Sequence, residues 1–446
     1  MSGLVMAGQL LLGLSILIVL HELGHFLAAR AFGIKVEKFY LFFDAWGVKL
    51  FKFNYKGCEY GIGWLPLGGY VKIAGMIDES MDTEQLKGEP QPWEFRSKPA
   101  WQRLIVMLAG IFVNIILGIF IFWMLTLRYG ETFIPNDKLV DGLAPGIIGK
   151  QVGLQAGDLI TAIDGEKVVR FEDIRSPKVL LGNTKLSVLR DGHPVDLIIP
   201  GDILNEISDL GIDEFVIPRI RVTHIELVEK GGAAEQAGLQ VGDSLVAINE
   251  QPIVFWDQMS DALLASKNKD AQIVFARAGK LDTLQAKINP EGKLGIGAGR
   301  DISRIPQEQL KYGFLEALPI GASKAWGSLT DNAKALGKVV TGQVKANKAL
   351  SGPVGIARMF GAEVDWVKFW SLVGLLSMAL ALMNILPIPA LDGGHALFLL
   401  IEMVKGKPLS DKFMERAQIV GFVIIVALMI FALGNDIMKA FTDKLP

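Results

Sequence analysis

The sequence is poor in the residues that most often hold structural metals or cross-link small domains. Its 446 residues include a single cysteine, Cys58, which excludes an intramolecular disulfide and a cysteine-based zinc site. Nitrogen ligands for a metal are few, because the chain has only five histidines: His21, His25, His193, His224 and His395. The formal net charge of −2 gives no overall attraction for nucleic acid. Any metal must therefore be held by His, Asp or Glu.

Long apolar segments, in contrast, are abundant. Hydrophobic residues make up 51% of the chain and the mean hydropathy is +0.37, which indicates an integral membrane protein with sizeable soluble parts. Four segments are long enough to cross a bilayer, approximately Leu4–Ala29, Leu104–Leu127, Phe369–Leu386 and Ile419–Leu433. The first lacks the basic start and the small-residue cleavage pattern of a signal peptide, so we expect a retained transmembrane helix.

Basic residues predict the orientation of these spans. They cluster in the connections after the first and third spans, at Arg30, Lys35, Lys38, Lys49, Lys52, Lys56, Lys72, Lys405, Lys407, Lys412 and Arg416. Because loops rich in lysine and arginine stay in the cytoplasm, both connections are expected there. The long region between about Gly130 and Val367 is then expected on the outer side, together with both termini.

The sequence HELGH, residues 21–25, lies at the end of the first apolar segment. His21 and His25 are four residues apart, so they share a helix face and can both reach one Zn²⁺. Glu22 is rotated by about 100°, where it can accept a proton from a water that the metal activates. Ionisable groups are costly in a membrane segment and usually mark function. His21 lies about 25 Å from Leu4 along a helix, which predicts a site in the cytoplasmic half of the membrane.

A catalytic zinc needs a third protein ligand. The other ionisable cluster near an apolar span is NILPIPALDGGH, residues 384–395. Pro387 and Pro389 break the helix there, and broken backbone at membrane depth persists only where protein or water satisfies it, which indicates a site. Asp392 is the favoured third ligand. His395 is the alternative, because zinc sites with three histidines exist.

The outer region contains an internal repeat. GLQAGD at residues 153–158, followed by AIDG, recurs as GLQVGD at residues 238–243, followed by AIN. The spacing of the two copies suits a small domain, and the pattern resembles PDZ domains. Downstream, apolar residues recur at near-helical spacing between Leu310 and Trp326, which predicts an amphipathic helix at the outer membrane surface or packed on the PDZ-like domains.

The connection after the first span alternates strand-like and turn-like pieces. VEKFYLFF, VKLFKF, CEYGIGWLP and GGYVKIAGM combine aromatic and β-branched residues with glycine turns, a pattern typical of β-hairpins. Because this element directly follows the histidines, we expect it to enter the membrane against the site.

The paired motifs HELGH and N-x-x-P-x-P-x-L-D-G-G resemble the site-2 protease family of intramembrane zinc metalloproteases. Four spans, two outer repeats and SGPVGIA, residues 351–357, resemble its bacterial regulator of sigma-E protease branch. The resemblance implies one catalytic Zn²⁺ held by His21, His25 and Asp392, with Glu22 as the general acid and base. It makes His395 a structural polar residue.

The resemblance also implies residues that engage the substrate. Asn384 matches a family asparagine near the active site, although it can equally bind the backbone freed by Pro387 and Pro389. The segment Gly61, Ile62 and Gly63 resembles the family's membrane-associated β element. An exposed strand edge there would hold a substrate extended by pairing with it; the alternative is that the loop only plugs the site.

The predicted fold is a polytopic α-helical membrane protein with four transmembrane helices, a membrane-associated β-hairpin region and two periplasmic PDZ-like α+β domains. The predicted segments are helix 1 (1–30), the hairpin loop (31–99), helix 2 (100–129), PDZ-like domains (130–217 and 218–304), an amphipathic linker (305–366), helix 3 (367–391), a cytoplasmic connection (392–417) and helix 4 (418–440).

The predicted activity is hydrolysis of peptide bonds within transmembrane segments, in the inner membrane of a bacterium. The resemblance implies single-pass substrates such as an anti-sigma factor already cut on its outer side, and remnant signal peptides. The PDZ-like domains would then act either as a size filter or as binding sites for newly made peptide C-termini. The lipid bilayer is the other partner, and nucleic acid is not one. The rival hypotheses are a PDZ scaffold and a metal transporter without proteolytic activity.

Overall fold

A computed structural model describes residues 2–66, 68–76, 88–349 and 351–442. The chain divides into two compact units. The first combines Met1–Gly130, Lys311–Thr341 and Ala349–Pro446, and the second combines Glu131–Leu310 with Gly342–Lys348. The predicted spans belong to the first unit and the sequence repeat to the second.

The α-helices of the described residues, in chain order, are α1 (Ser2–Ala31), α2 (Ala100–Tyr129), α3 (Ile147–Val152), α4 (Phe171–Ile174), α5 (Pro177–Leu180), α6 (Ile203–Leu210), α7 (Ala233–Ala237), α8 (Trp256–Ala265), α9 (Phe314–Val340), α10 (Ala346–Ala349), α11 (Pro353–Phe360), α12 (Trp366–Ile385), α13 (Asp392–Lys405) and α14 (Asp411–Thr442).

The strands of the first unit are β1 (Val36–Leu41), β2 (Lys49–Tyr55), β3 (Cys58–Gly63) and β4 (Tyr70–Ile73). Those of the second unit are β5 (Glu131–Phe133), β6 (Leu143–Pro145), β7 (Leu159–Ile163), β8 (Glu166–Lys167), β9 (Lys185–Arg190), β10 (His193–Ile198), β11 (Val216–Pro218), β12 (Arg221–Val228), β13 (Ser244–Ile248), β14 (Gln251–Pro252), β15 (Asp270–Arg277), β16 (Lys280–Lys287), β17 (Ile296–Asp301) and β18 (Glu308–Leu310).

Four helices among the described residues are long and apolar enough to cross a membrane. They are α1, α2, α12 and the stretch Lys412–Met438 of α14, which are the four segments that the sequence predicts. Several extend beyond the apolar run because flanking residues such as Arg30 and Arg128 continue the helix past the hydrocarbon length. Four such helices together with a mixed helix and sheet fold fit a polytopic membrane protein.

The end of the third span is broken, as its prolines predict. After α12 ends, Ala390 adopts a φ of 78°, a left-handed conformation that is strained for a residue with a Cβ. The connection that follows is a helix, α13, which the sequence does not predict because glycine is a weak helix former. Close packing explains why glycine stands in the first turn of this helix: a Cβ on Gly394 would lie 2.7 Å from the carbonyl carbon of Ile388. Asp392 is therefore the first residue of a helix.

The strands after α1 form a four-stranded sheet in the order β2-β3-β1-β4. β1 and β3 are parallel, and the other neighbouring pairs are antiparallel. Gly61 pairs with both Tyr40 and Lys52, and Ile62 likewise has a partner on each side. β3 is thus an inner strand. The expectation that Gly61, Ile62 and Gly63 offer an exposed strand edge is wrong, because their neighbours already occupy the backbone.

This sheet packs against the inner ends of α1 and α2. Buried side chains of the sheet, including Val36 and Ile73, share a core with Ala29 of α1 and Met107 of α2. A Cβ on Gly69, just before β4, would lie 2.5 Å from Cγ2 of Ile18. The glycine therefore lets β4 begin in direct contact with α1.

Two further helices complete the first unit. α9 crosses α2 near Trp123, whose Nε1 donates a hydrogen bond to the carbonyl oxygen of Phe314 at 2.9 Å. α11 begins within SGPVGIA, where the backbone N–H groups of Gly352 and Val354 donate to the carboxylate of Asp436 in α14 at 3.0 and 2.8 Å. The carboxylate caps the N-terminus of α11 and ties it to α14.

The sequence repeat is also a structural repeat. Each copy runs from a strand through a short helix, a strand pair, a helical segment and a hairpin to a final strand, β6 to β11 in the first copy and β12 to β17 in the second. Each copy has a core of its own, centred on residues such as Ile160 and Phe215 in the first and Ile248 and Phe275 in the second.

The last residue of each GLQxGD motif is a buried aspartate. Asp158 accepts a hydrogen bond from the backbone N–H of Gln155 and two from Arg190, all at 2.7–2.8 Å. Asp243 has the same arrangement, with Arg277 as its basic partner. The motif therefore marks a self-contained ion pair that stabilises the turn.

Candidate metal centre

The site begins where α1 and α2 cross. Two glycines bring the helices close together: a Cβ on Gly24 would lie 2.7 Å from the carbonyl oxygen of Ala109, and one on Gly110 would lie 2.6 Å from Cε1 of His21. The space in front of Gly110 is filled by the rings of His21 and His25, which lie edge to face with centroids 4.8 Å apart. The missing side chains thus make room for two imidazoles.

The start of α13 adds a carboxylate to the two imidazoles. Nε2 of His21 lies 3.2 Å from Nε2 of His25, and Oδ2 of Asp392 lies 3.2 Å from the first nitrogen and 3.4 Å from the second. Ligand atoms placed about 2.0–2.1 Å from a tetrahedral zinc lie about 3.3–3.4 Å from one another. The three atoms therefore form a triangle of the size that a zinc ion requires.

The polar atoms of this triangle also need a cation. His25 Nδ1 lies 2.8 Å from the backbone carbonyl oxygen of Val106, to which it donates, so the neutral ring carries its lone pair on Nε2. Oδ2 of Asp392 is buried and, apart from the two imidazoles, no donor among the described residues reaches it. Lone pairs that face one another in a buried site are repulsive unless a positive charge lies between them. The donor set fits zinc.

Comparisons with known proteins identify the family of this chain. Residues 9–428 match peptidase family M50. The chain belongs to peptidase family M50. It is 32% identical to the regulator of sigma E protease of Haemophilus influenzae, over 98% of this chain and 100% of the relative. It is also 32% identical to the regulator of sigma-E protease RseP of Escherichia coli, over 96% and 97% of the two chains. A Vibrio cholerae relative, again 32% identical, is named as a zinc metalloprotease.

A cavity of about 100 Å³ adjoins the three ligand atoms of this M50 peptidase. Its wall includes Glu22, which follows His21 on α1, and residues of β4 such as Val71. The Glu22 carboxylate is within hydrogen-bonding reach of the Val71 backbone. A carboxylate that lines this cavity without belonging to the triangle is positioned to exchange protons with a molecule bound there.

Asn384, at the end of α12, also lines the cavity, and its Nδ2 lies 3.2 Å from Nε2 of His21. Pro387 and Pro389 are not among the residues that line it, whereas Ala390 and Leu391 are. Both prolines therefore contribute by ending α12 and bending the backbone toward α13.

The wall of the cavity differs from the sequence prediction at the sheet. Its lining contains none of Gly61, Ile62 and Gly63; the contributing strand is β4 instead. β4 lies at an end of the sheet, as far as the described residues go, and it begins beside α1.

His395, the rival third ligand, lies one turn after Asp392 on α13. It lines the same cavity but contacts Gln418 of α14 and is outside the triangle. The geometry thus brings Asp392, and not His395, to the two histidines of α1.

Sequence reasoning missed Asn114. This side chain is fully buried in the middle of α2, and its Nδ2 lies 3.1 Å from Nδ1 of His21. The available signal was a single amide within an otherwise apolar span, a position where polar residues usually have a role.

A charged cluster stabilises the sheet beside the site. Glu59 of β3 accepts hydrogen bonds from Lys49 and from the hydroxyl of Tyr40, both at 2.7 Å. Lys49, followed by Tyr40, lowers the pKa of Glu59 to about 2. Burial, together with the bond to Glu59, raises the pKa of Tyr40 to about 12. The cluster keeps fixed charges at physiological pH and fixes β1, β2 and β3 together.

Proposed function

We propose that this M50 peptidase is an intramembrane zinc metalloprotease that hydrolyses peptide bonds within the transmembrane segments of single-pass membrane proteins. Its zinc ligands are His21, His25 and Asp392, and its general acid and base is Glu22. The observation that carries the proposal is the triangle of three ligand atoms, 3.2–3.4 Å on a side, built by helices of the membrane-spanning unit.

The chemistry follows from the positions of the side chains. Zinc, when bound, supplies the Lewis acidity that polarises a peptide carbonyl and acidifies a water. Glu22 takes the proton of the attacking water and delivers it to the leaving amine. Asn384 has its amide beside His21, where it can donate a hydrogen bond to the oxygen of the scissile peptide. These roles need no other ionisable group.

A transmembrane substrate must lose its helical hydrogen bonds before it can be cut. β4 can hold the substrate in an extended conformation. Among the described residues it is an edge strand of the sheet, and it lines the cavity beside Glu22. We infer that the substrate lies along β4, with its scissile carbonyl directed toward the three ligands. This assignment replaces the inner strand that contains Gly61, Ile62 and Gly63.

The basic residues of the connections support the proposed orientation. The four-stranded sheet and the connection between α12 and α14 are cytoplasmic, the two repeats and both termini are periplasmic, and the site lies in the cytoplasmic half of the inner membrane. The domain limits are those predicted from the sequence, with residues 392–417 containing α13 in addition to the connection.

The two repeats are proposed to be PDZ-like domains, and the second has the features of a peptide-binding one. A cavity of about 570 Å³ lies along α8 and the start of β17, the end strand of its sheet, with Trp256 and Met259 among its lining residues. The turn Lys293–Ile296, in which Gly295 has a φ of 80°, closes one end of this groove. An extended peptide C-terminus can pair with β17 and direct its carboxylate toward this turn.

The first repeat is less suited to such binding. Its turn before β11 is held to the end of α4 by the ion pair of Asp213 with Arg175 at 2.6 Å. Ile302 and Ile305, from the segment after the second repeat, line the cavity at the corresponding position. We infer that peptide recognition is a property of the second repeat.

The names of the Haemophilus and Escherichia relatives support a role in sigma-E regulation. We therefore propose that a substrate is a membrane-bound anti-sigma factor from which another protease has removed the outer part, and that remnant signal peptides are a second class. The periplasmic repeats would then favour shortened substrates or read their new C-termini.

Glu22→Gln tests the proposal in detergent-purified full-length protein. Cleavage of a model transmembrane substrate should fall by at least about 10³-fold while zinc content stays at one ion per chain, because a glutamine amide cannot transfer protons yet leaves the ligands intact. Persistent cleavage would contradict the proposed base. A scaffold or a metal transporter would retain its peptide binding or its transport in this variant.

A further inference from the structure

The ligand His21 has a neighbour in α2 that the proposed chemistry does not use. Asn114 is fully buried, and its side-chain amide lies against the ring nitrogen of His21 that faces away from the triangle, 3.1 Å from Nδ1. The other end of this amide, Oδ1, is buried without a hydrogen-bond donor among the described residues. Because this far end has no partner, it does not decide whether the nitrogen or the oxygen of the amide faces His21, and that choice needs an explanation.

The demands of a metal ligand supply the explanation. If the amide nitrogen donates to Nδ1, the neutral ring must carry its proton on Nε2, the atom that lies 3.2 Å from Oδ2 of Asp392. A protonated Nε2 has no lone pair for a metal. Turning the amide by 180° exchanges two ends of nearly identical shape, so that Oδ1 accepts from a protonated Nδ1 and Nε2 is left free.

The second histidine shows the same arrangement with a fixed acceptor. His25 Nδ1 lies 2.8 Å from the carbonyl oxygen of Val106, which can only accept, so His25 must present an unprotonated Nε2 to the triangle. Val106 and Asn114 are both on α2, two turns apart. One helix therefore offers an acceptor to the outward nitrogen of each imidazole.

We infer that Asn114 is a positioning residue that accepts a hydrogen bond from Nδ1–H of His21. It thereby keeps Nε2 of His21 unprotonated and directed toward the proposed zinc position. The inference rests on the proposed zinc site. Residues that hydrogen-bond the non-ligating nitrogen of a metal-bound histidine orient its ring, and their removal typically weakens metal binding by about 10–100-fold. Asn114 itself does not touch the substrate or the metal.

Zinc affinity, measured by competition with a chelator on full-length protein in detergent, tests the inference. Asn114→Leu has a similar volume but no acceptor, and it should weaken zinc binding by about 10–100-fold. Asn114→Asp restores an acceptor and should bind zinc at least as tightly as the wild type. A residue that only packs between helices would give the opposite order, because leucine suits an apolar helix contact better than a carboxylate does.

Ser377→Ala is the matched control. Its hydroxyl donates to the backbone carbonyl oxygen of Asn114 at 2.7 Å and is buried at the same contact, but it does not touch His21. Its zinc affinity should be unchanged. Wild-type affinity in folded Asn114→Leu, or equal losses in the Leu and Asp variants, would overturn the inference.

A spectroscopic measurement remains decisive even if the leucine variant does not fold. The chain has five histidines, so ¹⁵N-histidine labelling of the zinc-free wild type, at a pH at which the imidazoles are neutral, gives few signals to assign. His21 should be protonated at Nδ1; protonation at Nε2 would overturn the inference. If the wild type binds no zinc in the competition, the proposed function fails instead, so the two failures are distinguishable.

Discussion

Both units of this protein contain an aspartate with a carboxylate oxygen buried beside basic side chains, but the two units satisfy these oxygens differently. In the second unit, Asp158 is 1% exposed and receives a backbone N–H and two guanidinium donors from Arg190. In the first unit, Oδ2 of Asp392 faces ring nitrogens of His21 and His25, at least one of which carries a lone pair. The first carboxylate is satisfied by its own fold, and the second needs a cation.

The contrast separates a structural motif from the one that we propose to hold the metal. GLQxGD and LDGG both place an aspartate next to glycine, and residue type alone does not distinguish them. The hydrogen-bond donors do distinguish them: the repeats provide an arginine for each aspartate, whereas α13 turns Asp392 toward the imidazoles of His21 and His25. A buried carboxylate oxygen that lacks other protein donors is therefore the better indicator of a metal site.

The largest expected effect comes from removing the unsatisfied aspartate. Asp392→Ala should lose zinc and reduce the cleavage of a transmembrane substrate by at least about 10³-fold, because two histidines alone hold the metal poorly and leave its charge uncompensated. Metal content and cleavage should be measured on the same purified sample. Asp243→Ala is the control and should keep its zinc; loss of zinc in both variants would contradict the distinction between the two kinds of aspartate.

Removing the satisfied aspartates should affect stability and leave the chemistry intact. Asp158→Ala leaves Arg190, whose side chain is 21% exposed, without its carboxylate partner, so we expect a loss of about 2–3 kcal/mol in the first repeat. Asp243→Ala should cost less, about 1–2 kcal/mol, because Arg277 is 40% exposed and solvent screens it. Hydrogen exchange of repeat amides in the full-length protein measures both. Equal losses would show that solvent access to the arginine is unimportant.

The smallest effect is a pH dependence of the second repeat. The hydrogen bond from Arg277 holds the pKa of Asp243 below its usual value. The ionised carboxylate therefore stabilises the fold above about pH 4, and this contribution is lost as the pH falls through the lower pKa of the folded state. The protection of amides in the second repeat, taken relative to their intrinsic exchange rate at each pH, should therefore fall below about pH 4. Asp243→Asn should show a smaller fall in protection; an unchanged profile would contradict the account.

Much of the fold could be predicted from the sequence because the signals are local. Apolar runs of bilayer length predict the four spans, and the i, i+4 spacing of His21 and His25 predicts two metal ligands on one helix face. The GLQxGD repeat predicts two similar domains, and both have the same order of elements. The prolines predict the break after α12.

The remainder depends on contacts between distant segments. Spacing favours Asp392 over His395 only slightly, because most of the chain separates both from HELGH and the two glycines near the start of α13 do not predict a helix. The parallel pairing of β1 and β3, which buries Gly61 inside the sheet, leaves no local signature. Asn114 belongs to no motif with the histidines; only the crossing of α1 and α2 brings it to His21.

The coordination of zinc in the purified wild-type protein is the most direct test of the central claim. Zinc X-ray absorption should show two imidazole nitrogens and a carboxylate oxygen at about 2.0–2.2 Å, with no sulfur ligand. Asp392→Asn should change this first shell, and Asp243→Asn should leave it unaltered. A sulfur ligand, or an identical spectrum for Asp392→Asn, would contradict the assignment of Asp392 as the third ligand.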